Sequence, residues 1–373
     1  MNRRVTLLLL VGGWGPSEVE AALRQAHQAA ARDLLQALLP SGWVEQAVVA
    51  TDDPAWAQTL ADLPVMVDVD AAGEEFHFGR RVAGLIERCR ARAVLVLGGG
   101  SAPLLAAEHW EGILARLATR ERWAVTNNVH SSDWVGFTSA AEALSVVAAQ
   151  PHDNGLAWAL AHGLGWEVES LPATAATRFD LDTPADLLIA QRHAAIGPHL
   201  RAALERLGWD GAQVEGVLAA MAVEGGSLVV AGRASAAAWA ALEQSTSCWV
   251  RVYAEERGMR ASGRQASGSV RSLLSDYLDL VGADVFFAEL AQLGAAVLLD
   301  SRVLLAAHGL WPTAADRFNA DLLRWERVTD PFLRAFTRSA AAAGVPILLG
   351  GQSVVAGGLM ALVEIHRARQ GGR

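Results

Sequence analysis

Val5-Thr6-Leu7-Leu8-Leu9-Leu10-Val11-Gly12-Gly13-Trp14-Gly15-Pro16-Ser17 is the stretch whose reading decides the fold. An uncharged apolar run this short is a fully buried strand rather than a membrane span. The basic end before it, Met1 to Arg4, resembles an export signal, but Gly12 to Pro16 offers no small-x-small cleavage site. From Ser17 to Leu39 Ala, Leu and Arg recur at helical spacing. Strand, glycine turn, helix is the opening of a βαβ unit, and it predicts an α/β protein with a mostly parallel sheet.

The alternation continues outward. Val44 to Ala50 predicts a second strand ending in the polar loop Thr51-Asp52-Asp53-Pro54, and Arg80 to Arg90 a helix. Ala93 to Leu97 predicts a strand that runs into Gly98-Gly99-Gly100-Ser101, followed by a strand over Trp123 to Asn127, a helix over Asn154 to Gly163 and a strand over 166–171. In such sheets ligands collect beyond the carboxyl ends of the strands, where these polar and glycine-rich loops fall.

The most distinctive motif is Phe179-Asp180-Leu181-Asp182-Thr183-Pro184-Ala185-Asp186-Leu187. Pro184 suits a first helical position, Thr183 the N-cap, and Asp186 the first turn, where its charge complements the helix dipole. The motif resembles the closing Asp-Ile/Leu-Asp-Thr-Pro-x-Asp-Leu of the MobA-like nucleoside-triphosphate transferases, above all the 2-phospho-lactate guanylyltransferase type, over residues 5–190. That resemblance implies a Rossmann-like, GT-A type nucleotidyltransferase domain. Its expected catalytic carboxylates are Asp180 and Asp182, which would also hold magnesium. Its expected partners are a nucleoside triphosphate and a small anionic acceptor.

The same resemblance and the local residue patterns mark other positions. Gly12, Gly13 and Gly15 would cradle phosphate through their N–H groups. Relatives follow this turn with an Arg and a Lys, where this chain has Pro16-Ser17-Glu18. Gly99, Gly100 and Ser101 lie where relatives carry Gly/Ala-x-Asp-x-Pro-Leu-Leu. Pro103-Leu104-Leu105 matches it, but Ser101 replaces the acidic residue, and a hydroxyl is a far weaker magnesium ligand than a carboxylate. Asn127 and Asn128 would read a base or a sugar, while Asp153 or Asn154 reads as a helix cap. His77 reads as a packed histidine. Arg80, Arg81 and Arg178 are the candidates to replace the missing phosphate-binding lysine.

Composition narrows the function classes. The chain of 373 residues has room for two domains, with an expected boundary near 196 at Ile196-Gly197-Pro198: 1–196 nucleotidyltransferase-like, 197–373 a second α/β domain. A net charge of -9 argues against nucleic acid or an anionic membrane as partner. All 31 basic residues are Arg, so no Schiff-base, general-base or P-loop lysine can be proposed. The two cysteines, Cys89 and Cys248, are too few for a disulfide framework, and a reduced, cytoplasmic setting is expected. The uncharged stretch 339–363 contains Pro346, Gln352, Ser353 and paired glycines, and reads as helix end, strand, turn and helix rather than a membrane span.

The second half has strand patterns at Ser227 to Ala231, Cys248 to Tyr253, Ala296 to Leu299 and Val345 to Leu349. A Gly/Ser loop there carries Arg257, Arg260 and Arg264 and could surround an anion, with Asp300 and His308 returning to the same pocket. Each of these residues also has a plain reading as a salt bridge, cap or turn. The functional expectation is a nucleotidyltransferase-like protein. The alternative is a catalytically degenerate nucleotide-binding or scaffolding protein whose activity resides in the C-terminal domain.

Overall fold

The computed structural model describes residues 4–70 and 75–371, so the segment Met1 to Arg3 lies outside the described residues. The chain forms two compact units that interleave in sequence: Met1–Trp14, Arg24–Ala173 and Gly197–Ala203 make the first, and Gly15–Leu23, Thr174–Ile196 and Leu204–Arg373 the second. A single break at 196 does not describe this division. The segment 174–196 packs with the second unit, where a Cβ on Gly357 would stand 1.9 Å from the Arg178 carbonyl oxygen and one on Gly350 3.1 Å from Ala185.

The first unit is built on a seven-stranded sheet of order β3-β2-β1-β4-β6-β5-β7. Its strands are β1 (Val5–Val11), β2 (Val44–Thr51), β3 (Met66–Val69), β4 (Ala93–Gly98), β5 (Trp123–Thr126), β6 (Trp134–Thr138) and β7 (Glu167–Ser170). All neighbours run parallel except β6, which is antiparallel to β4 and β5. As expected of a central strand, β1 is apolar and buried, with Leu8 paired to Val48 on one side and Val96 on the other. Helix Phe78–Cys89 lays Phe78, Val82, Leu85 and Ile86 onto this sheet. Each such side chain contributes about 1.5–3 kcal/mol when fully buried.

β3 and β6, with the helices Ala107–Thr119 and Ala140–Ala148, have no counterpart in the sequence reading. β3 is a half-exposed edge strand. β6 is short, and its antiparallel direction is fixed by pairing with β4 and β5 rather than by its own pattern.

The second unit holds a four-stranded, all-parallel sheet of order β11-β10-β8-β9, with β8 (Ser227–Gly232), β9 (Trp249–Ala254), β10 (Ala296–Asp300) and β11 (Ile347–Gly350). Its core joins Val229, Val297, Leu299 and Leu349 to Phe286, Phe287 and Phe336. The uncharged stretch 339–363 resolves into a helix end, β11, a short turn and the helix Gly357–Gly371, and among the described residues no helix is long and apolar enough to cross a membrane. The fold class is α/β in both units.

Candidate functional site

In the first unit the chain runs from β1 to β2 on one side and later reaches β4 on the other, so the β1/β4 edge is the switch point of the sheet. That is where open α/β sheets bind ligands. A cavity of about 1250 Å³ opens there, against the carboxyl ends of β1, β2 and β4 and the amino end of β6. Gly12, Gly13, Asp52, Gly98 and Asp133 line it, with the apolar Val96, Trp134 and Leu156 and the basic His77, Arg80 and Arg81.

The glycine turn after β1 is partly occupied by the protein's own acids. Gly13, at φ +84°, donates its N–H to Asp52 Oδ2 at 2.9 Å, and a Cβ on Gly12 would fall 2.7 Å from Asp52 Oδ1. Gly15 donates its N–H to Glu20 Oε1 at 3.1 Å, and Glu20 also accepts from the Ser17 hydroxyl at 2.6 Å. Two of the amides expected to cradle phosphate therefore already face carboxylates. Gly99 and Gly100 have a packing reason instead: added Cβ atoms would meet the His27 carbonyl oxygen at 3.1 Å and the His27 ring Nε2 at 2.5 Å. They let helix Glu18–Leu38 approach the end of β4.

The loop between β5 and β6 is a closed polar clasp. Asn127, only 1% exposed, donates its side-chain amide to the Asp133 carboxylate and accepts the Asp133 N–H at 3.1 Å. Asn127 and Asn128 do not reach the cavity lining; Ser132 and Asp133 do. The Ser101 hydroxyl donates to the Asp133 carbonyl at 3.1 Å, which holds the β4 loop to the same clasp. Asp153 and Asn154 cap no helix. The Asn154 amide and the Asp153 carbonyl instead tie to Ser132, and helix Leu156–Gly163 begins without a side-chain cap.

His77 is the N-cap of helix Phe78–Cys89, its Nδ1 accepting the Arg80 N–H at 3.3 Å. Arg81 is held by Asp68 at 2.6 Å and Asp70 at 2.7 Å. Arg80 is exposed and has no salt bridge among the described residues. Asp70 is an acid that sequence reasoning passed over, while Asp52 and Asp133 lie in polar loops it placed beyond strand ends without giving either an individual role. The loop position of Asp52 after an apolar strand was the available signal.

Asp180, Asp182 and Arg178 belong to the second unit. Helix Pro184–Ala190 starts where the motif predicts, with Thr183 at the N-cap and Pro184 in the first turn. Asp186 Oδ2 accepts both the N–H and the hydroxyl of Thr183 at 2.8 Å. Asp186 is fully buried, and that burial, with Asp182 nearby, pushes its carboxyl up to about 7 against the hydrogen bonds that favour its charged form. Asp180 Oδ1 accepts the Leu181 N–H at 3.0 Å, and Asp182 is exposed. As a test of fit for magnesium, these two carboxylates make no complete ligand set. Among the described residues no three His, Cys, Asp or Glu gather in an arrangement that could hold a metal.

The expected anion loop of the second unit divides. Arg264 is paired with Glu256 at 2.8 Å and donates to the Arg257 carbonyl at 3.1 Å, so its guanidinium is already engaged. Gly258, Gly263 and Gly268 sit at φ +74°, +73° and +64°, a left-handed backbone that explains these glycines without a ligand. His308 does not join Asp300. It lies at the far end of helix Ser301–Ala307, bonded to Ser275 at 2.7 Å and Asp279 at 2.7 Å.

No family model and no curated protein matches the sequence. Solved structures do resemble it. A nucleotidyl transferase from Methanothermobacter thermautotroptrophicus is 11% identical and covers 55% of this chain and 99% of its own at a TM-score of 0.40. A cytidylyltransferase from Leptospira borgpetersenii serovar Hardjo-bovis is 12% identical, covering 56% of this chain and 94% of its own, at 0.40. A 4-diphosphocytidyl-2C-methyl-D-erythritol synthase from Anaerococcus prevotii is 10% identical, covering 56% of this chain and 99% of its own, at 0.38.

Proposed function

We propose that the first unit binds a nucleoside triphosphate at the β1/β4 switch point and that the protein acts as a nucleotidyltransferase. The observation that carries this reading is the cavity of about 1250 Å³ at the carboxyl ends of β1, β2 and β4. It is large enough for a nucleotide and combines an apolar wall with a few placed polar groups, the usual make-up of a small-molecule site. The motif at 180–187 adds the resemblance on which the reaction class rests.

The chemistry is displacement at phosphorus. An oxygen of a small anionic acceptor attacks the α-phosphorus, the bond from that phosphorus to the bridging oxygen breaks, and pyrophosphate leaves. In this reading Val96, Trp134 and Leu156 take the nucleoside, Arg80 faces the phosphates, and the Asn127–Asp133 clasp fixes a carboxylate at the inner wall. Asp52, Asp70, Glu75, Asp133 and Asp153 line the cavity against Arg80 and Arg81 alone, so its charge is negative. A bare triphosphate would meet strong repulsion there, and magnesium bound to it removes part of its negative charge and so weakens that repulsion. Calorimetry with each nucleoside triphosphate should therefore give binding in magnesium and none in chelator, with pyrophosphate released on addition of a phosphorylated acceptor. Absence of heat with every triphosphate in both conditions would end the proposal.

One observation favours a second reading, a nucleotide-binding protein without transfer activity. The carboxylates of Asp52 and Glu20 take up glycine-turn amides that phosphate would need. Binding without pyrophosphate release from any acceptor would select it.

A further inference from the structure

Three helices of the second unit end around one cavity of about 460 Å³. Helix Ala212–Met221 leaves through Ala222, Val223 and Glu224, and helix Ala236–Glu243 through Gln244 to Ser247; both exits line the cavity. The last turns of helix Gly357–Gly371 complete it with His366 and Gln370. The final carbonyls of a helix have no partner within it and carry the negative end of its dipole. Three such ends around one space favour a cation there.

The side chains carry the same sign. Glu224 is the charged residue of the lining, and no arginine belongs to it. Arg369, on the third helix, is held by Glu215 at 2.8 Å. The hydroxyls of Ser245 and Thr246 donate to the Ala241 and Leu242 carbonyls at 2.5 and 3.0 Å, so toward the cavity they can only accept. His366 is 6% exposed, yet its ring has no hydrogen-bond partner among the described residues. Buried polar groups are nearly always bonded, and one left open on a cavity points to a ligand. Burial holds this imidazole below its ordinary range, so at neutral pH it is uncharged and one ring nitrogen can accept. Acceptors therefore dominate the cavity.

We propose that this cavity binds an aliphatic amine with two or more ammonium groups, its nitrogens held by Glu224, His366 and the helix-end carbonyls and its methylenes against Met221 and Val223. One ammonium gathers its N–H donors at a single point, whereas these acceptors are spread over three chain segments. The volume is that of a small-molecule site, and no three His, Cys, Asp or Glu among the described residues gather to hold a metal. The test is calorimetry of the full chain with spermidine at fixed ionic strength. Glu224→Gln removes the charge from an exposed turn and should weaken binding about threefold to fivefold, the scale of an exposed ion pair. His366→Phe keeps a ring without its nitrogens and should weaken binding about tenfold, the scale of a hydrogen bond to a charged group, with circular dichroism checking that each variant is folded. Glu111→Gln, at an exposed position of helix Ala107–Thr119 in the first unit, removes the same charge elsewhere and should leave the affinity unchanged. The proposal is overturned if spermidine does not bind, if its affinity is the same in Glu224→Gln and His366→Phe as in the parent, if Glu111→Gln weakens it as much as Glu224→Gln, or if butanediol binds as tightly as putrescine, the diamine of the same length.

Discussion

Asp186 shows how one buried side chain ties stability to pH. Its carboxyl is raised to about 7 in the folded chain from 3.8, so between those values the folded state holds a proton that the unfolded chain has lost. Stability from this group is therefore full below about pH 4 and falls as pH rises toward 7. About three pH units at 1.36 kcal/mol each make the loss roughly 4 kcal/mol. Asp186 Oδ1 and the Ser353 hydroxyl are both buried without a well-formed hydrogen bond, and an asparagine amide could donate to that hydroxyl. Urea unfolding should find Asp186→Asn near the parent at pH 4.5 and more stable than it at pH 8; a difference that does not change with pH would refute the shift. Asp300→Ala works in the opposite direction. It strands the buried Arg233 guanidinium and should cost about 3–5 kcal/mol, because a broken buried pair leaves an unpaired charge. A melting temperature within a degree of the parent would refute that account.

At the scale of elements, the wall of the β1/β4 cavity depends on one close helix contact. Gly79, in the first turn of helix Phe78–Cys89, donates its N–H to the Gln150 carbonyl at 2.9 Å. A Cβ there would stand 2.0 Å from the Val147 carbonyl oxygen and 2.6 Å from that of Gln150. These are backbone atoms, so the helix itself must shift. Gly79→Ala should destabilise the chain by about 1–3 kcal/mol, the range for overpacking. It should also weaken triphosphate binding, because the same turn carries Arg80 and Arg81. By contrast Gly84→Ala, on the same helix with open space around its Cα, should gain a few tenths of a kcal/mol or more from helix propensity. Equal melting temperatures for the two alanine variants would contradict this picture.

For the whole molecule, ligand binding makes a prediction under hydrogen exchange. A magnesium triphosphate should slow exchange at the amides that close its cavity, in Gly12, Gly13, Gly98 and the clasp from 127 to 133. It should also raise the apparent stability by about 2.7 kcal/mol at a concentration one hundred times its Kd. Protection that never reaches the amides after β1 and β4 would place the ligand elsewhere.

The alternation of short apolar runs with helical patterns, opening at Val5 to Val11 and its glycine turn, was enough to read an α/β protein, because each pattern depends on residues a few positions apart. The start of helix Pro184–Ala190 was equally legible, since Thr183, Pro184 and Asp186 act through their immediate neighbours. β6 was not legible: its direction and place are set by β4 and β5, strands distant in the chain. The same limit applied to the site. Gly99 and Gly100 read as part of a ligand-binding turn, and only the fold shows His27 packed against them; Asp52 read as one of the polar residues beyond a strand end, and only the fold shows it taking the Gly13 N–H. Arg233 and Asp300 lay too far apart in sequence to suggest their pairing. The sequence determined periodicity, caps and class, which depend on interactions a few residues apart. Only the tertiary structure decided which carboxylate faces which cation, because those pairings join residues separated by dozens of positions.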